Sequence, residues 1–291
     1  MGSALVSELR KAGASIHYLT TSREKIREEP HYQGFYWDPG RNEIDTTCFQ
    51  GVSLIVNLAG ATIAQRWTAA NRRKIQESRT DSLSTLKKGL ASLPRHEVTY
   101  LLSASAIGIY PSSRTEFYTE DTPAVDTGFL GETVAKWEEA ARSFSDLGIP
   151  VGILRIGLVL AGQGGALPQL VRPIRLGAGA PLGDGQQWQS WIHITDLVGM
   201  MRLCLEERLE GVYNAVAPNP VTNQKLTREA AQVLGRPLWL PRVPAWALRM
   251  ILGEMSTILL ASQRVSSEKI QQEGFGFQFR NVQCALEDLL A

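Results

Sequence analysis

The spacing of apolar residues alternates between strand-like and helix-like patterns along the first two thirds of the chain. Nearly continuous apolar runs occupy 51–60, 98–106 and 150–160, a pattern typical of parallel strands that are buried on both faces. Segments with helical spacing of apolar residues separate and follow these runs, and they cover 68–91, 128–144 and 195–208. This alternation predicts an α/β fold, a doubly wound, Rossmann-like parallel sheet with helices on both faces.

The chain opens on an amphipathic helix and not on a strand. Leu5, Val6 and Leu9 share one face of this segment, and Gly13 suits the left-handed position after its end. The stretch "ASIHYLTTSR" follows as a short strand. In an α/β protein, a helix followed at once by a strand is the second half of a strand–helix–strand unit. The pattern therefore leaves the first strand of the sheet unaccounted for.

The pattern changes after about residue 160, where glycine-rich loops interrupt the alternation. We therefore predict a larger cofactor-type domain over 1–160, to which 195–218 returns. A smaller C-terminal part would consist of 161–194 and 219–291. No linker-like sequence separates the two, so we expect them to share an interface.

Composition excludes several classes of protein. The 291 residues carry a formal net charge of +1 and three widely spaced cysteines. We accordingly expect no nucleic-acid or membrane partner, and neither a disulfide framework nor a zinc site. No basic-then-apolar leader and no apolar run of membrane-spanning length occur. These features favour a cytoplasmic location.

Two of the predicted strands end in residues suited to a nucleotide. The small residues of "NLAG" (57–60) would let a ligand approach the backbone closely, although a plain turn explains this stretch alone equally simply. "TTSR" (20–23) places Ser22 and Arg23 where an acidic residue would bind the ribose of NAD. A cation there favours the 2′-phosphate of NADP, with a solvated surface arginine as the equal alternative.

Hydroxyl groups cluster after another strand. "SASAIGIY" (103–110) carries Ser103, Ser105 and Tyr110, which could polarise a carbonyl or alcohol oxygen. The alternative is a serine satisfied by nearby backbone, which is common.

"WIHITD" (191–196) contains His193, with Thr195 or Asp196 as the expected helix N-cap. Because no other histidine or cysteine is near in sequence, a structural or substrate-lining role is favoured for His193 over a base or metal ligand. No metal pattern and no Gly-x-Ser-x-Gly motif is present. "GAGAPLGDG" (177–185) follows a helical stretch, which excludes it as a dinucleotide fingerprint.

Taken in order along the chain, these motifs resemble the extended short-chain dehydrogenase/reductase family and, within it, the atypical epimerase-like subfamily. The resemblance runs through almost the whole chain. It is carried by "NLAGATI", "SR" at 78–79, "SASAIGIY", "TEDTP", "KWEEAA", "LRIGLVLAGQGGAL", "GAGAPLGDGQQWQSWIHITDL", "NAVAPNPVTN" and "GFGFQF".

The resemblance implies an NADP cofactor and a small-molecule substrate. The implied cofactor-binding residues are Gly2, Ser22, Arg23, Leu58, Ala59, Gly60, Arg79 and Val134. For the substrate side, we expect Ser105 and Tyr110 to be the catalytic residues, with Ser105 binding a substrate oxygen. The pocket would be shaped by Arg155, Gln189, Trp191 and His193.

The resemblance also accounts for the unusual start. Members of the family begin with a strand and a glycine-rich turn of the form GGTGFIG, and Gly2 matches the last glycine of that turn. We therefore expect the natural protein to carry a strand and a turn more, about a dozen residues.

One departure from the family concerns chemistry. The family uses a Tyr-x-x-x-Lys pair for proton transfer, but here Leu130 and Val134 stand at those two positions. Lys136 is present with Glu132 four residues before it, so no register restores the pair. A proton donor or acceptor contributes about 10²–10⁴-fold to the rate, and Tyr110 is the candidate substitute.

Two functions remain open from the sequence. One is an NADP-dependent epimerase-like oxidoreductase acting on a small sugar-like or carbonyl compound. The other is a catalytically degenerate NADP-binding regulator, possible because some plant and cyanobacterial relatives are linked to division. Neither the substrate nor the oligomeric state follows from the sequence.

Overall fold

The computed structural model describes residues 1–290, which contain ten α-helices and fourteen strands. The helices are α1 (Gly2–Lys11), α2 (Ala69–Ala91), α3 (Phe129–Arg142), α4 (Leu167–Arg175), α5 (Ile194–Glu207), α6 (Asn223–Val233), α7 (Ala245–Leu252), α8 (Ser256–Leu260), α9 (Glu268–Gln272) and α10 (Val282–Leu290). The strands are β1 (Ile16–Thr20), β2 (Glu28–Glu29), β3 (Tyr32–Asp38), β4 (Glu43–Ile44), β5 (Leu54–Asn57), β6 (Tyr100–Ala106), β7 (Phe117–Tyr118), β8 (Val151–Ile156), β9 (Leu158–Leu160), β10 (Trp188–Gln189), β11 (Trp191–His193), β12 (Gly211–Ala215), β13 (Val221–Thr222) and β14 (Arg264–Val265).

A parallel sheet in the order β12–β8–β6–β5 forms the centre of the molecule. Its strands come from the apolar runs of the sequence, and β6 is buried at six of its seven positions. α3 and α5 both contact β6, and they pack in turn on α2 and α1. The predicted α/β fold with a parallel sheet is confirmed.

The first part of the chain forms a separate group of strands, in the order β1–β3–β2, with β4 also paired to β3. β1 and β3 are parallel, with Thr20 opposite Tyr36 at their carboxyl ends. Leu5 of α1 and Phe35 of β3 are buried in the same apolar cluster as the central sheet. The two strand groups therefore share one core, although they do not share a hydrogen-bonded ladder.

The apolar run at 150–160 is not one strand, as the sequence predicts, but two. Gly157 separates β8, which belongs to the central sheet, from β9, which pairs with β11. A Cβ atom at Gly157 would overlap the carbonyl oxygen of Ser190. The chain changes partner here because only glycine allows this close approach.

A second apolar cluster lies in the C-terminal part of the chain, with Trp191, Leu226 and Leu286 fully buried in it. It is formed mainly by α4, α6 and α10 around β9 and β11. The β12 strand and α5 instead contact the central sheet. The domain boundaries given above stay a prediction.

Two local predictions have opposite outcomes. α4 ends at Arg175, so "GAGAPLGDG" does follow a helix, as predicted. The N-cap of α5 is neither Thr195 nor Asp196 but His193, whose ring Nδ1 accepts the amide of Thr195 at 3.1 Å. Asp196 does not cap the helix, because its two carboxylate oxygens accept hydrogen bonds from the amides of Gln278 and Phe279, both at 2.9 Å.

None of the helices in residues 1–290 combines the length and the hydropathy that crossing a bilayer requires.

Candidate functional site

A cavity of about 370 Å³ lies beside the carboxyl end of the central sheet. In open α/β sheets, ligands bind at this edge because strand ends and helix N-termini meet there. The cavity is bounded by the segment after β6, by the starts of α2 and α3, and by the chain around α8. Its lining comprises Trp67, Arg72, Gly108, Tyr110, Ser112, Asp126, Gly128, Phe129, Leu130, Glu254, Thr257, Ala261 and Gln263.

A second cavity, of about 320 Å³, lies between α5 and the loop at 274–278. None of the predicted site residues lines it. We therefore take the cavity at the strand ends as the candidate site.

An arginine is held over an aromatic wall of this cavity. The Trp67 and Phe129 rings lie 5.1 Å apart in an edge-to-face arrangement. The Arg72 guanidinium lies 5.2 Å from the centre of the Phe129 ring and forms an ion pair with Glu254, next to α8. This ion pair joins the start of α2 to the C-terminal part of the chain across the cavity.

Asp126 places a carboxylate at the start of α3. Its Oδ2 accepts the amide of Gly128 at 3.0 Å, and its own amide donates to the Ile109 carbonyl at 2.7 Å. A Cβ atom at Gly131 would overlap the backbone of Asp126, so the loop packs directly on the first turn of the helix. The carboxylate is half-buried and makes no ion pair with another residue of 1–290.

Behind the cavity lies a buried polar network centred on Glu138 of α3. The carboxylate accepts two hydrogen bonds from Arg155, at 2.8 Å and 3.0 Å, one from Ser105 Oγ at 2.7 Å, and one from Arg142 at 2.7 Å. Arg155 also donates to the Tyr110 hydroxyl at 2.9 Å, and that hydroxyl donates to Asn214 Oδ1 at 2.8 Å. The network links α3, β6, β8 and β12.

The charge states of this network follow from its contacts. Burial raises the pKa of the Glu138 carboxyl, but the hydrogen bonds and charge of Arg155, with help from Ser105 and Arg142, outweigh it and lower the pKa overall. Burial raises the pKa of the Tyr110 phenol, and the opposing effect of Arg155 is smaller. At neutral pH the network therefore contains a carboxylate, a guanidinium and a neutral phenol.

Ser105, Tyr110 and Arg155 are thus brought together, as the sequence predicts for a site. Their polar atoms, however, are occupied by protein partners, and Tyr110 is the one of the three that lines the cavity. Their roles toward a substrate stay predictions.

The predicted cofactor residues fall at the carboxyl ends of β1 and β5. The Arg23 guanidinium lies 4.1 Å from the centre of the Tyr36 ring, and Ser22 stands beside it with its amide bonded to Thr20 Oγ1 at 3.2 Å. This stacking holds an exposed cation at the end of the β1–β3 pair.

Two close contacts join predicted cofactor residues in pairs, Gly2 with Leu58 and Gly60 with Arg79. A Cβ on Gly2 would lie 3.8 Å from the Leu58 side chain, so the start of α1 reaches the end of β5. A Cβ on Gly60 would lie 3.2 Å from the Arg79 guanidinium, which donates to the carbonyls of Ile75 and Ala61. The Arg79 guanidinium also lies 5.0 Å from the centre of the Trp137 ring.

These residues fit a dinucleotide. Helix amides, small residues and a cation are the groups that bind phosphates at this position in α/β proteins. Asn57, at the end of β5, adds a buried side-chain amide whose Nδ2 has no hydrogen-bond partner within residues 1–290. Val134, also predicted here, is instead packed with Ile109, Tyr110 and Val216 in a small apolar cluster, and its part in binding stays a prediction.

The remaining predicted residues do not line the cavity. Trp191 is fully buried in the C-terminal cluster, and its Nε1 donates to the Asn219 carbonyl at 3.0 Å. His193 is also buried, 3.8 Å from the Phe279 ring and 3.3 Å from Asp288 Oδ2. Desolvation lowers the pKa of the His193 imidazole, although Asp288 and Asp196 oppose this. Gln189 lies in β10, opposite Val221.

Trp67, Arg72, Asp126 and Phe129 are not among the residues predicted from the sequence. The stretch "DTGFL" (126–130) contains a signal that could have indicated Asp126, because an aspartate just before a predicted helix is typical of a helix start. Nothing local marks Glu254, since its partner Arg72 is far away in the chain. In residues 1–290, no group of three or more His, Cys, Asp or Glu is placed to hold a metal ion.

Comparison with known proteins gives a consistent result. The sequence profile of the NAD dependent epimerase/dehydratase family matches residues 1–215, and a domain of unknown function, DUF1731, matches residues 243–289. An epimerase family protein of Staphylococcus epidermidis is 35% identical over 295 residues, covering 100% of this chain and 95% of its own. One from Staphylococcus aureus is 36% identical over 297 residues, with 100% and 96% covered.

Solved structures show the same likeness. A human epimerase family protein, solved with NADPH, has a TM-score of 0.85 at 28% identity, with 99% of this chain and 95% of that chain covered. A nucleoside-diphosphate sugar epimerase from Corynebacterium glutamicum has a TM-score of 0.77 at 29% identity, with 99% of this chain and 55% of that chain covered.

The buried ion pair gives a stability prediction. Glu138→Gln keeps the shape of the side chain but leaves the Arg155 guanidinium buried without its counter-charge, which costs about 3–5 kcal/mol. Denaturant unfolding at pH 7, followed by circular dichroism, measures this loss. Glu139→Gln, at the exposed neighbouring position, is the matched control and should change stability by less than about 0.5 kcal/mol.

The difference between the wild type and Glu138→Gln should also depend on pH. The folded pKa of Glu138 is lowered, so its contribution is fully present above the unfolded pKa of about 4.3 and is lost as the pH falls through the folded pKa. Equal stability of the wild type and Glu138→Gln at pH 7 would show that the ion pair is not a structural requirement.

Proposed function

Because the chain belongs to the NAD dependent epimerase/dehydratase family, we propose that it is an NADP-binding, epimerase-like oxidoreductase whose substrate is a small sugar-like or carbonyl compound. The observation that carries this proposal is the cavity at the carboxyl edge of the sheet. Leu130, which stands where the family has its tyrosine, lines that cavity together with a carboxylate and an arginine.

Arg23 supports NADP over NAD. A phosphate on the adenosine ribose would find an exposed guanidinium already oriented by its stacking on Tyr36, and no acidic side chain follows β1 until Glu24. Arginine binds phosphate through charge-assisted, often paired hydrogen bonds. The human relative that was solved with NADPH agrees with this preference.

The cavity supports a polar, compact substrate. Trp67 and Phe129 supply flat apolar surfaces against which a sugar ring or carbonyl compound packs, and Arg72 supplies donors for its oxygens. A bound NADP would accept a hydride from an alcohol and a bound NADPH would donate one to a carbonyl, so the protein must remove a proton from the substrate oxygen in the first direction and supply one in the second.

Asp126 is the side chain best placed for that proton in the proposed reaction. Of the titratable groups that line the cavity, Tyr110 uses its hydroxyl within the buried network, and Arg72 and Glu254 are paired with each other. The Asp126 carboxylate accepts only the Gly128 amide, which leaves one oxygen for a substrate hydroxyl. Lys136 does not line the cavity, and its Nζ lies 3.4 Å from Gln76 on α2.

A regulatory, non-catalytic protein is the second candidate. It is favoured by the apolar residues at the two positions where the family carries its tyrosine and lysine, Leu130 and the buried Val134. Such a protein would bind NADP without turning over any substrate.

The cofactor assignment predicts a specific loss on charge reversal. Arg23→Asp should weaken NADP binding by roughly 1.5–3 kcal/mol, because it removes charge-assisted bonds to the 2′-phosphate, and should weaken NAD binding much less. Calorimetry with both cofactors measures this. Lys25→Asp, an exposed charge reversal in the same turn, is the control. Equal losses for NADP and NAD in Arg23→Asp would refute the assignment.

The proton-transfer assignment predicts where activity is lost. Asp126→Asn should lower NADP reduction by a panel of small sugar-like alcohols by about 10²–10⁴-fold, with cofactor affinity unchanged, because the carboxylate then no longer accepts the substrate's hydroxyl proton. Lys136→Ala should stay within a few-fold of wild type, since that side chain lies outside the cavity. If Asp126→Asn retains activity while Tyr110→Phe loses it in a folded protein, Tyr110 is the acid/base group. A wild type that binds NADP but turns over no compound in the panel would favour the regulatory alternative.

A further inference from the structure

The segment 236–253 exposes large apolar side chains to an unusual degree. Nine large hydrophobic residues are exposed in the part of the chain that the structure describes, and five lie within this segment. They are Trp239, Leu240, Trp246, Met250 and Ile251, with exposed fractions between 49% and 78%. An exposed apolar patch of this kind is typical of a surface that binds another protein, a membrane or a ligand.

The helix of this segment is apolar on its outward side as well as on its inward side. In α7, Leu248 faces the protein and is 7% exposed, whereas Trp246 and Met250, one helical turn apart, are 64% and 73% exposed. Pro244 precedes the helix, and an isolated bridge between Val243 and Leu182 anchors its start. The outward side of α7 is therefore both ordered and apolar.

The charges within this segment all have one sign. Residues 230–253 contain Arg236, Arg242 and Arg249, and the acidic residues nearest in sequence are Glu229 and Glu254, of which Glu254 is paired with Arg72. None of the three arginines forms an ion pair within residues 1–290. The net charge of +1 for the whole chain thus conceals a local basic, apolar surface.

The end of α4 extends this surface. A Cβ on Gly179 would lie 2.9 Å from Leu238, so the loop after α4 packs against the residue next to Trp239. That loop carries Leu176, which is 75% exposed, after Arg172 and Arg175 in the last turn of α4. Residues 161–183 contain neither aspartate nor glutamate, and Asp184, which follows them, is paired with Arg114.

We propose that this surface, formed by 172–176 and 236–251, docks on an anionic lipid bilayer, with its tryptophans in the interfacial layer and its arginines against the headgroups. Tryptophan and arginine beside exposed aliphatic residues are typical of protein segments that lie in the membrane interface. A second copy fits less well, because a two-fold contact through this surface would bring its arginines together without counter-charges. This proposal does not depend on the reaction proposed above.

Vesicle co-sedimentation of the whole protein tests the proposal. We expect binding to phosphatidylcholine vesicles that contain phosphatidylglycerol, little binding to phosphatidylcholine alone, and weaker binding at high salt. Trp246→Ser should reduce binding about tenfold or more, because it removes the largest apolar group. Arg249→Gln should reduce it about fivefold, as expected for one charge near an anionic surface.

Two matched variants control for the loss of any exposed aromatic side chain or any exposed positive charge. Phe117→Ser removes an exposed aromatic residue elsewhere, and Arg95→Gln removes one exposed positive charge outside the surface; both should bind like the wild type. No preference for anionic vesicles, or equal binding by Trp246→Ser, would overturn the proposal. A dimer in sedimentation velocity that Trp246→Ser dissociates, without vesicle binding, would assign the surface to a second copy instead.

Discussion

The buried ion pair between Glu138 and Arg155 holds α3, the helix at the candidate site, in place against the central sheet. A buried carboxylate and a buried guanidinium are tolerated only when each satisfies the other, and here Ser105, Arg142 and Tyr110 supply the further hydrogen bonds. The pair fixes α3 on β6 and β8. The start of α3, with Asp126 packed on it, is therefore held at the edge of the sheet where the cavity opens.

This arrangement uses the hydroxyl groups at the strand ends for hydrogen bonds within the protein. A short-chain dehydrogenase site needs a hydroxyl that faces its substrate, whereas Ser105 is 3% exposed and bonded to Glu138. The polar residues behind the cavity thus hydrogen-bond to one another, and their roles toward a substrate stay predictions. The groups that face the cavity come from the segment after β6, from the starts of α2 and α3 and from the C-terminal part of the chain.

The sequence predicts the central fold well because its signals are local and repeated. β5, β6 and α2 follow directly from apolar runs and from a long helical period. Gly157 divides a predicted strand because of a contact with Ser190, which no local pattern reveals. The N-cap of α5 is missed for a related reason, since Asp196 is recruited by amides 82 and 83 residues further along the chain.

For the candidate site, the sequence indicates the residues at the strand ends more readily than the residues that line the cavity. Ser22, Arg23, Leu58 and Gly60 lie next to strands and could be recognised from their position alone. The Arg72–Glu254 ion pair depends on how the C-terminal part folds over the sheet. The sequence predicts Arg155 as a site residue, but only the structure shows that its guanidinium is paired with Glu138.

We propose that the predicted nucleotide-binding residues and the cavity form one continuous site along the carboxyl edge of the sheet. A crystal structure of the protein with bound NADPH would test this arrangement. We expect the adenosine phosphate at Arg23, the diphosphate near Gly2 and Gly60, and nicotinamide C4 open to the cavity beside Leu130 and Asp126. A nicotinamide ring that points away from that cavity, or a cofactor bound elsewhere on the molecule, would contradict it.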